Sequence, residues 1–221
     1  MPDGARWAGG ASSGGGAAYP GPMVELSKWM ARVAENPGHS RWYIDRFRTM
    51  ARRGEDIVGE ARLVDAMVPR GARILDAGCG AGRLAGYLHE VGHRVTAVDV
   101  DPELVRAARE DYPGPDYRVA DLAELASLEL GGGFDAILCA GNVMTFLAES
   151  TRRDVLRGFR AHLADGGRAV IGFGAGRGYP VADFLDDAAA AALAPQLTLA
   201  GWDLRPWRED SEFLVAVLGA D

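Results

Sequence analysis

Three glycines, Gly78, Gly80 and Gly82, alternate with small residues in "ILDAGCGAGRL", directly after an apolar run that ends around Asp76 and directly before a helical pattern. Without Cβ atoms such a loop turns tightly and lets a ligand rest on main chain, while the helix behind it presents free N–H groups. Two further acids end short apolar runs downstream, Asp99 in "TAVDVDPELV" and Asp121 in "VADLAEL". A carboxylate at a strand tip can accept hydrogen bonds from both hydroxyls of a ribose. Asn142 follows Gly141 after a fourth apolar run, "FDAILCA", and is the best polar candidate to face a substrate there. Together these residues offer a site for a small nucleoside-like ligand.

The elements that must position them alternate along the chain. Runs "ARILDA", "RVTAVDV", "YRVAD", "FDAILCA" and "RAVIGFG" are separated by helical stretches such as "GRLAGYLHEVG", "PELVRAAREDY" and "TRRDVLRGFRAHL". Strand and helix repeating at this size imply right-handed crossovers and a parallel sheet covered on both faces. The tail, "LTLAGWDLRPW" and "EFLVAVLG", reads as a hairpin, which adds an antiparallel strand. Ahead of the sheet, "VELSKWMARVAEN", "SRWYIDRFRTMARRG" and "DIVGEARLVDAMV" are amphipathic helices, with Ser40 expected as an N-cap and Trp29, Trp42 and Phe47 packing as a lid. Asp101, before Pro102 and Glu103, reads as a helix N-cap.

A dinucleotide fingerprint starting at Gly78 and Gly80 requires a small residue at position 83, where the chain has Arg83. The other register, Asp76-x-Gly78-x-Gly80-x-Gly82, followed in order by Asp99, Asp121 and the strand-to-helix segment "FDAILCAGNVMTFL", resembles the class I S-adenosylmethionine-dependent methyltransferases. The resemblance covers about Ser40 to the C-terminus. It implies a Rossmann-like, doubly wound seven-stranded α/β sheet of order 3-2-1-4-5-7-6, strand 7 antiparallel, under an N-terminal helical cap. It also implies S-adenosylmethionine as cofactor and a small-molecule methyl acceptor.

By that resemblance Gly78, Cys79, Gly80 and Gly82 meet the methionine portion, Asp76 orients the loop and helps hold the ammonium, and Asp99 with Val100 takes the ribose. Asp121 and Leu122 form the adenine clamp, and Ala140 lines the cofactor. Tyr43 and Arg46, three apart on one helix face, are expected at the cofactor carboxylate. His39, before that helix, is a candidate general base, and Arg177 and Tyr179 in "GFGAGRGYP" are expected to face the substrate with Asn142. "GNVM" lacks the prolines and aromatic of the branches that methylate DNA bases or amides, and lacks the acids expected of an aminopropyl transferase. No Tyr/Lys or His/Arg dehydrogenase group is evident, and a non-catalytic binding protein on this fold would carry eroded motifs.

With 24 basic and 31 acidic residues the formal charge is −7, which leaves no broad electropositive footprint for nucleic acid. Cys79 and Cys139 read as buried small residues, and His89 and His93 are separated by Gly92, so no metal site is expected. No apolar run approaches the roughly 18 residues of a membrane span, and no secretory signal is seen, so a cytoplasmic location without membrane partners is expected. Residues 1–22 are expected to be a disordered leader and 23–221 one methyltransferase domain, divided into a helical cap at 23–70 and a sheet core at 71–221. Trp202, Arg205, Trp207 and Arg208 flank the hairpin turn, where a monomer would pack an edge and a homodimer would make a contact.

Overall fold

Apolar and β-branched runs supply the strands, six of them four to eight residues long and one of 12, with glycine or an acid at or near most of their ends. In the computed structural model, which describes residues 25–220, they are β1 (Arg73–Ala77), β2 (Arg94–Asp99), β3 (Asp116–Val119), β4 (Phe134–Cys139), β5 (Leu163–Gly174), β6 (Leu193–Leu199) and β7 (Phe213–Ala220). The leader expected at 1–22 lies outside the described residues. Strand order is 3-2-1-4-5-7-6, and β7 runs antiparallel to both β5 and β6, as expected. Edge strand β6 carries Pro195 next to a register shift against β7, a position where a missing N–H is tolerated.

The helices are α1 (Lys28–Glu35), α2 (His39–Arg52), α3 (Gly59–Met67), α4 (Arg83–Glu90), α5 (Pro102–Asp111), the short α6 (Val143–Phe146), α7 (Arg152–His162) and α8 (Val181–Ala190). A 3-10 turn, Leu122–Ser127, stands where a brief helix was expected after β3. Alternate residues of each strand feed opposite faces. Leu75, Ile137, Cys139 and Phe173 pack with Phe159 and Phe184 of α7 and α8, whereas Ile74, Leu138 and Val170 pack with Leu88 and Val105 of α4 and α5.

The expected cap divides. Ala61 and Val64 of α3 are fully buried with Ile74 and Leu88, so this helix belongs to the layer beneath β1. Ile44 of α2 instead packs with Ala81, Leu104 and Ala107, beside Trp29 and Tyr43, and seats α1 and α2 over the glycine loop. Ser40 does not cap α2, whose N-cap position is Gly38; it lies inside the helix, where its hydroxyl donates to Asp101.

Candidate cofactor and active site

β1, β2, β3 and β4 end along one edge of the sheet, and β1 and β4 are neighbours whose following helices, α4 and α6, leave on opposite faces. That is the switch point at which open α/β sheets bind ligands. A cleft of about 440 Å³ opens there, within the usual size of a small-molecule site. Its floor contains Gly78, Gly80, Asp99, Val100, Asp121, Leu122 and Ala140, drawn from four strand ends. Its cap side contains His39, Tyr43 and Arg46 from α2, and Asn142 and Arg177 close it from the loops after β4 and β5.

The glycines act differently from one another. Gly78 (φ +82°) leaves no room for a Cβ against the Val143 methyls, so its bare backbone lets α6 approach the loop. At Gly80 (φ +54°) a Cβ would come within 3.3 Å of the Tyr43 ring, and the Gly80 N–H donates to Asp99 Oδ2 at 2.8 Å. The second Asp99 oxygen accepts the Asp101 N–H at 3.0 Å. A carboxylate has about four acceptor sites, so Asp99 keeps capacity for a ligand. Asp121 likewise uses Oδ1 to cap the following turn through Ala123 N–H, 2.9 Å, and lines the cleft.

Four expected site residues stand away from the cleft. Gly82 (φ +85°) packs below it, where a Cβ would sit 2.7 Å from Ala108 Cβ and 2.8 Å from the Tyr117 hydroxyl; it serves helix packing. Cys79 is buried behind the loop, and burial holds its thiol neutral by raising its pKa well above the ordinary value. Tyr179 is only 1% exposed: its ring packs with Phe173 and Phe184 under the Arg152 guanidinium, and its hydroxyl donates to Asp187 at 2.8 Å. Asp76 is also shut away, and its Oδ2 has no hydrogen-bond partner in the protein. Burial pushes Asp76 up to about 7, against the opposing Arg83 charge, and pushes Asp99 up to about 6. Tyr43 is driven up to about 12 by burial and stays a neutral donor.

Other parts of the cleft were not legible as site residues. Trp29 and Arg32 of α1 and Phe146 of α6 line it, with Trp29 edge-on to Phe146 at 5.8 Å and Arg32 stacked 5.2 Å from the Phe146 ring. The signal for Arg32 was its position three residues after Trp29, the same aromatic-to-Arg step as Tyr43 to Arg46. Asn142 (φ +68°) lines the cleft while its Oδ1 accepts the Gly174 N–H at 2.7 Å, so it also ties two loops together. Arg83, which breaks the dinucleotide fingerprint, makes a two-pronged bond to Glu60 at 2.6 and 2.9 Å and donates to the Ile57 carbonyl, binding α4 to α3.

Known proteins share this fold. Residues 74–167 match the family described as "Methyltransferase domain". A TehB-like SAM-dependent methyltransferase from Corynebacterium glutamicum superposes with a TM-score of 0.79 at 49% identity, over 84% of this chain and 100% of that one. The chain belongs to the S-adenosylmethionine-dependent methyltransferases. A curated relative, the ubiquinone biosynthesis O-methyltransferase of Xanthomonas axonopodis pv. citri, is 38% identical over 112 residues, which are 43% of this chain and 46% of that protein. The match therefore spans less than half of the relative's length. An S-adenosylmethionine-dependent methyltransferase of Clostridium acetobutylicum, 13% identical with a TM-score of 0.69 over 81% of this chain and 98% of its own, shares the fold. Among the described residues of this methyltransferase no helix is long and apolar enough to cross a membrane, and no group of three or more His, Cys, Asp or Glu could hold a metal ion.

Proposed function

We propose that the cleft binds S-adenosylmethionine and that the protein transfers its methyl group to a small molecule held under α1 and α2. The observation that carries this reading is the meeting of Gly78, Gly80, Asp99, Asp121 and Ala140, from four separate strand ends, in one cleft roofed by aromatic side chains. The residues suit such a ligand: bare glycine backbone for the methionine portion, Asp99 for the ribose hydroxyls, Asp121 for the adenine amine, and Tyr43 with Arg46 for the carboxylate. Asp76, shut away behind the loop, is its positioning residue, and its unpartnered buried oxygen is the kind of group that a water bridging toward the ligand satisfies.

The cofactor, when bound, supplies an electrophilic methyl on a sulfonium, so the protein's share of the work is to orient the acceptor and exclude water. Trp29, Trp42 and Phe146 provide the apolar walls for that, and Asn142 provides an amide beside the glycine loop. Where the acceptor must lose a proton, His39, a histidine lining the cleft, is the candidate base. The soluble acceptor, rather than nucleic acid, fits the −7 charge.

Calorimetric titration with S-adenosylmethionine, S-adenosylhomocysteine and NAD tests the reading. Micromolar binding of the first two with silence for NAD is expected. Binding of NAD in their place, or of none of the three, rejects it.

A further inference from the structure

Three arginines of the cleft, Arg32, Arg46 and Arg177, stand within 4.0 Å of no carboxylate among the described residues. Elsewhere in the chain Arg41, Arg48, Arg62 and Arg153 rest on acids, as a surplus of 31 acids over 24 bases makes easy. The acids that line the cleft are Asp99 and Asp121, on its floor, and both already accept backbone N–H bonds. The cap side of the cleft is thus positive in a negative protein. One guanidinium, Arg46 with Tyr43, answers the single carboxylate of the proposed cofactor. Arg32 and Arg177 are left over.

These two share the mouth. Lys28, one turn before Arg32 on α1, bonds Glu149 at 3.1 Å and reaches within 3.9 Å of where a Gly178 Cβ would stand, so α1 faces the loop that carries Arg177. Arg32 is steadied on the Phe146 ring, which presents a planar fork with little freedom left to lose on binding. A series of rings leads away from Arg32 along the cleft: Phe146 meets Trp29 at 5.8 Å, Trp29 meets His39 at 4.8 Å, and His39 stacks on Trp42 at 5.5 Å. Trp42, 55% exposed, carries the ring series to the solvent edge of the cleft, with the Arg46 guanidinium 5.8 Å from its ring.

We infer that the methyl acceptor is an organic anion, with a carboxylate or comparable oxyanion on Arg32 and Arg177 and an unsaturated body against Trp29, Trp42 and Phe146. This rests on the reading of the cleft as a methyltransferase site and adds the acceptor's chemical class to it. Guanidinium forks favour planar two-oxygen anions over neutral isosteres, and apolar rings favour a flat body over a bare inorganic ion.

The test is a tryptophan-fluorescence titration with matched pairs of aromatic carboxylates and their primary amides, from benzoate and benzamide to longer arylalkanoates, with sulfate alongside. Each titration is run with and without saturating S-adenosylhomocysteine, whose own binding is measured separately. The best carboxylate is expected to bind at least about tenfold more tightly than its amide and than sulfate. In the double variant Arg32→Gln, Arg177→Gln the preference should fall to within about threefold while S-adenosylhomocysteine affinity is kept. Amides that bind as well as carboxylates, no carboxylate that binds better than sulfate, or a preference that survives in the double variant overturns the inference. Silence toward S-adenosylhomocysteine is a separate failure, that of the cofactor reading, and leaves the carboxylate comparison without it to be judged by the same criteria.

Discussion

Trp29 of the cap donates its indole N–H to Asp101 Oδ2 at 2.9 Å, and Ser40 Oγ donates to the same oxygen at 2.5 Å. The other Asp101 oxygen caps α5 through Glu103 and Leu104, while the Asp101 N–H donates to Asp99. One buried carboxylate therefore fastens the cap to the helix that follows the acid proposed for the ribose. Trp29→Phe keeps an aromatic side chain but deletes the donor and the pyrrole half of the indole, and a loss of about 1–3 kcal/mol in urea unfolding is expected, with weaker S-adenosylhomocysteine binding. Stability and affinity both equal to wild type would show that the bond fastens nothing.

Asp99 serves structure and proposed ligand together, since it holds Gly80 and Asp101 by backbone N–H bonds. In Asp99→Ala two buried donors lose their acceptor, at a cost on the order of 2–4 kcal/mol of stability. If the carboxylate also takes ribose hydroxyls, affinity for S-adenosylhomocysteine falls by about 100-fold or more, measured on protein whose circular dichroism is native. Folded variant protein that binds within a factor of three or so of wild type removes Asp99 from the site.

The sheet was legible because strand and helix periods alternate cleanly, and its order followed from the family resemblance carried by four motifs in sequence at four strand ends. The floor of the cleft was legible for the same reason: a strand tip fixes where Asp99 and Asp121 stand. The cap side was less so. Trp29, Arg32 and Phe146 come together only when α1, α2 and α6 fold over the loop, and beyond the aromatic-to-Arg step from Trp29 to Arg32 nothing local in the sequence marks that meeting. Tyr179 misled because a tyrosine in a glycine-rich loop reads as exposed, whereas this one turns inward onto Phe173 and Phe184 with Asp187 to take its hydroxyl. Gly82 misled because positive φ and tight packing, not a ligand, require it. Ser40 was read as a cap from its place at a helix start, but its partner, Asp101, is 61 residues away.

The glycines of the loop should separate by substitution. Gly82→Ala meets Ala108 and Tyr117 at a φ of +85°, and a destabilisation of about 2–4 kcal/mol is expected from strain and overpacking combined. Gly141 has an equally left-handed φ of +70° but open space around it, so Gly141→Ala should cost only about 1 kcal/mol. Gly78→Ala strikes the Val143 methyls, and its cost should shrink in a Val143→Ala background. Equal losses at Gly82 and Gly141 in thermal unfolding would mean that backbone strain alone, without packing, sets the requirement.

Asp76 gives the most discriminating pH experiment, because burial raises it from 3.8 to about 7 while Asp99 rises to about 6. Between these folded-state values and the ordinary one, the folded chain holds protons that the unfolded chain has released. The stability they contribute is therefore full below about pH 4 and is lost as the pH rises through about 6 and then about 7. Asp76→Asn removes the larger part of that loss, so the ligand-free variant should match wild type near about pH 4 and exceed it near about pH 8 by on the order of 2–4 kcal/mol. Ligand binding should move the opposite way. From behind the loop an ionised Asp76 favours a ligand ammonium through a bridging water or the loop backbone more than its amide does, so wild-type affinity for S-adenosylhomocysteine should climb from about pH 5.5 to about pH 8, while the variant stays flat and about tenfold weaker at the upper end. A variant stabilised at high pH yet impaired in binding is the signature of a charge kept buried for its ligand. A variant that binds as wild type does at every pH would reduce Asp76 to a loop residue with no part in the site.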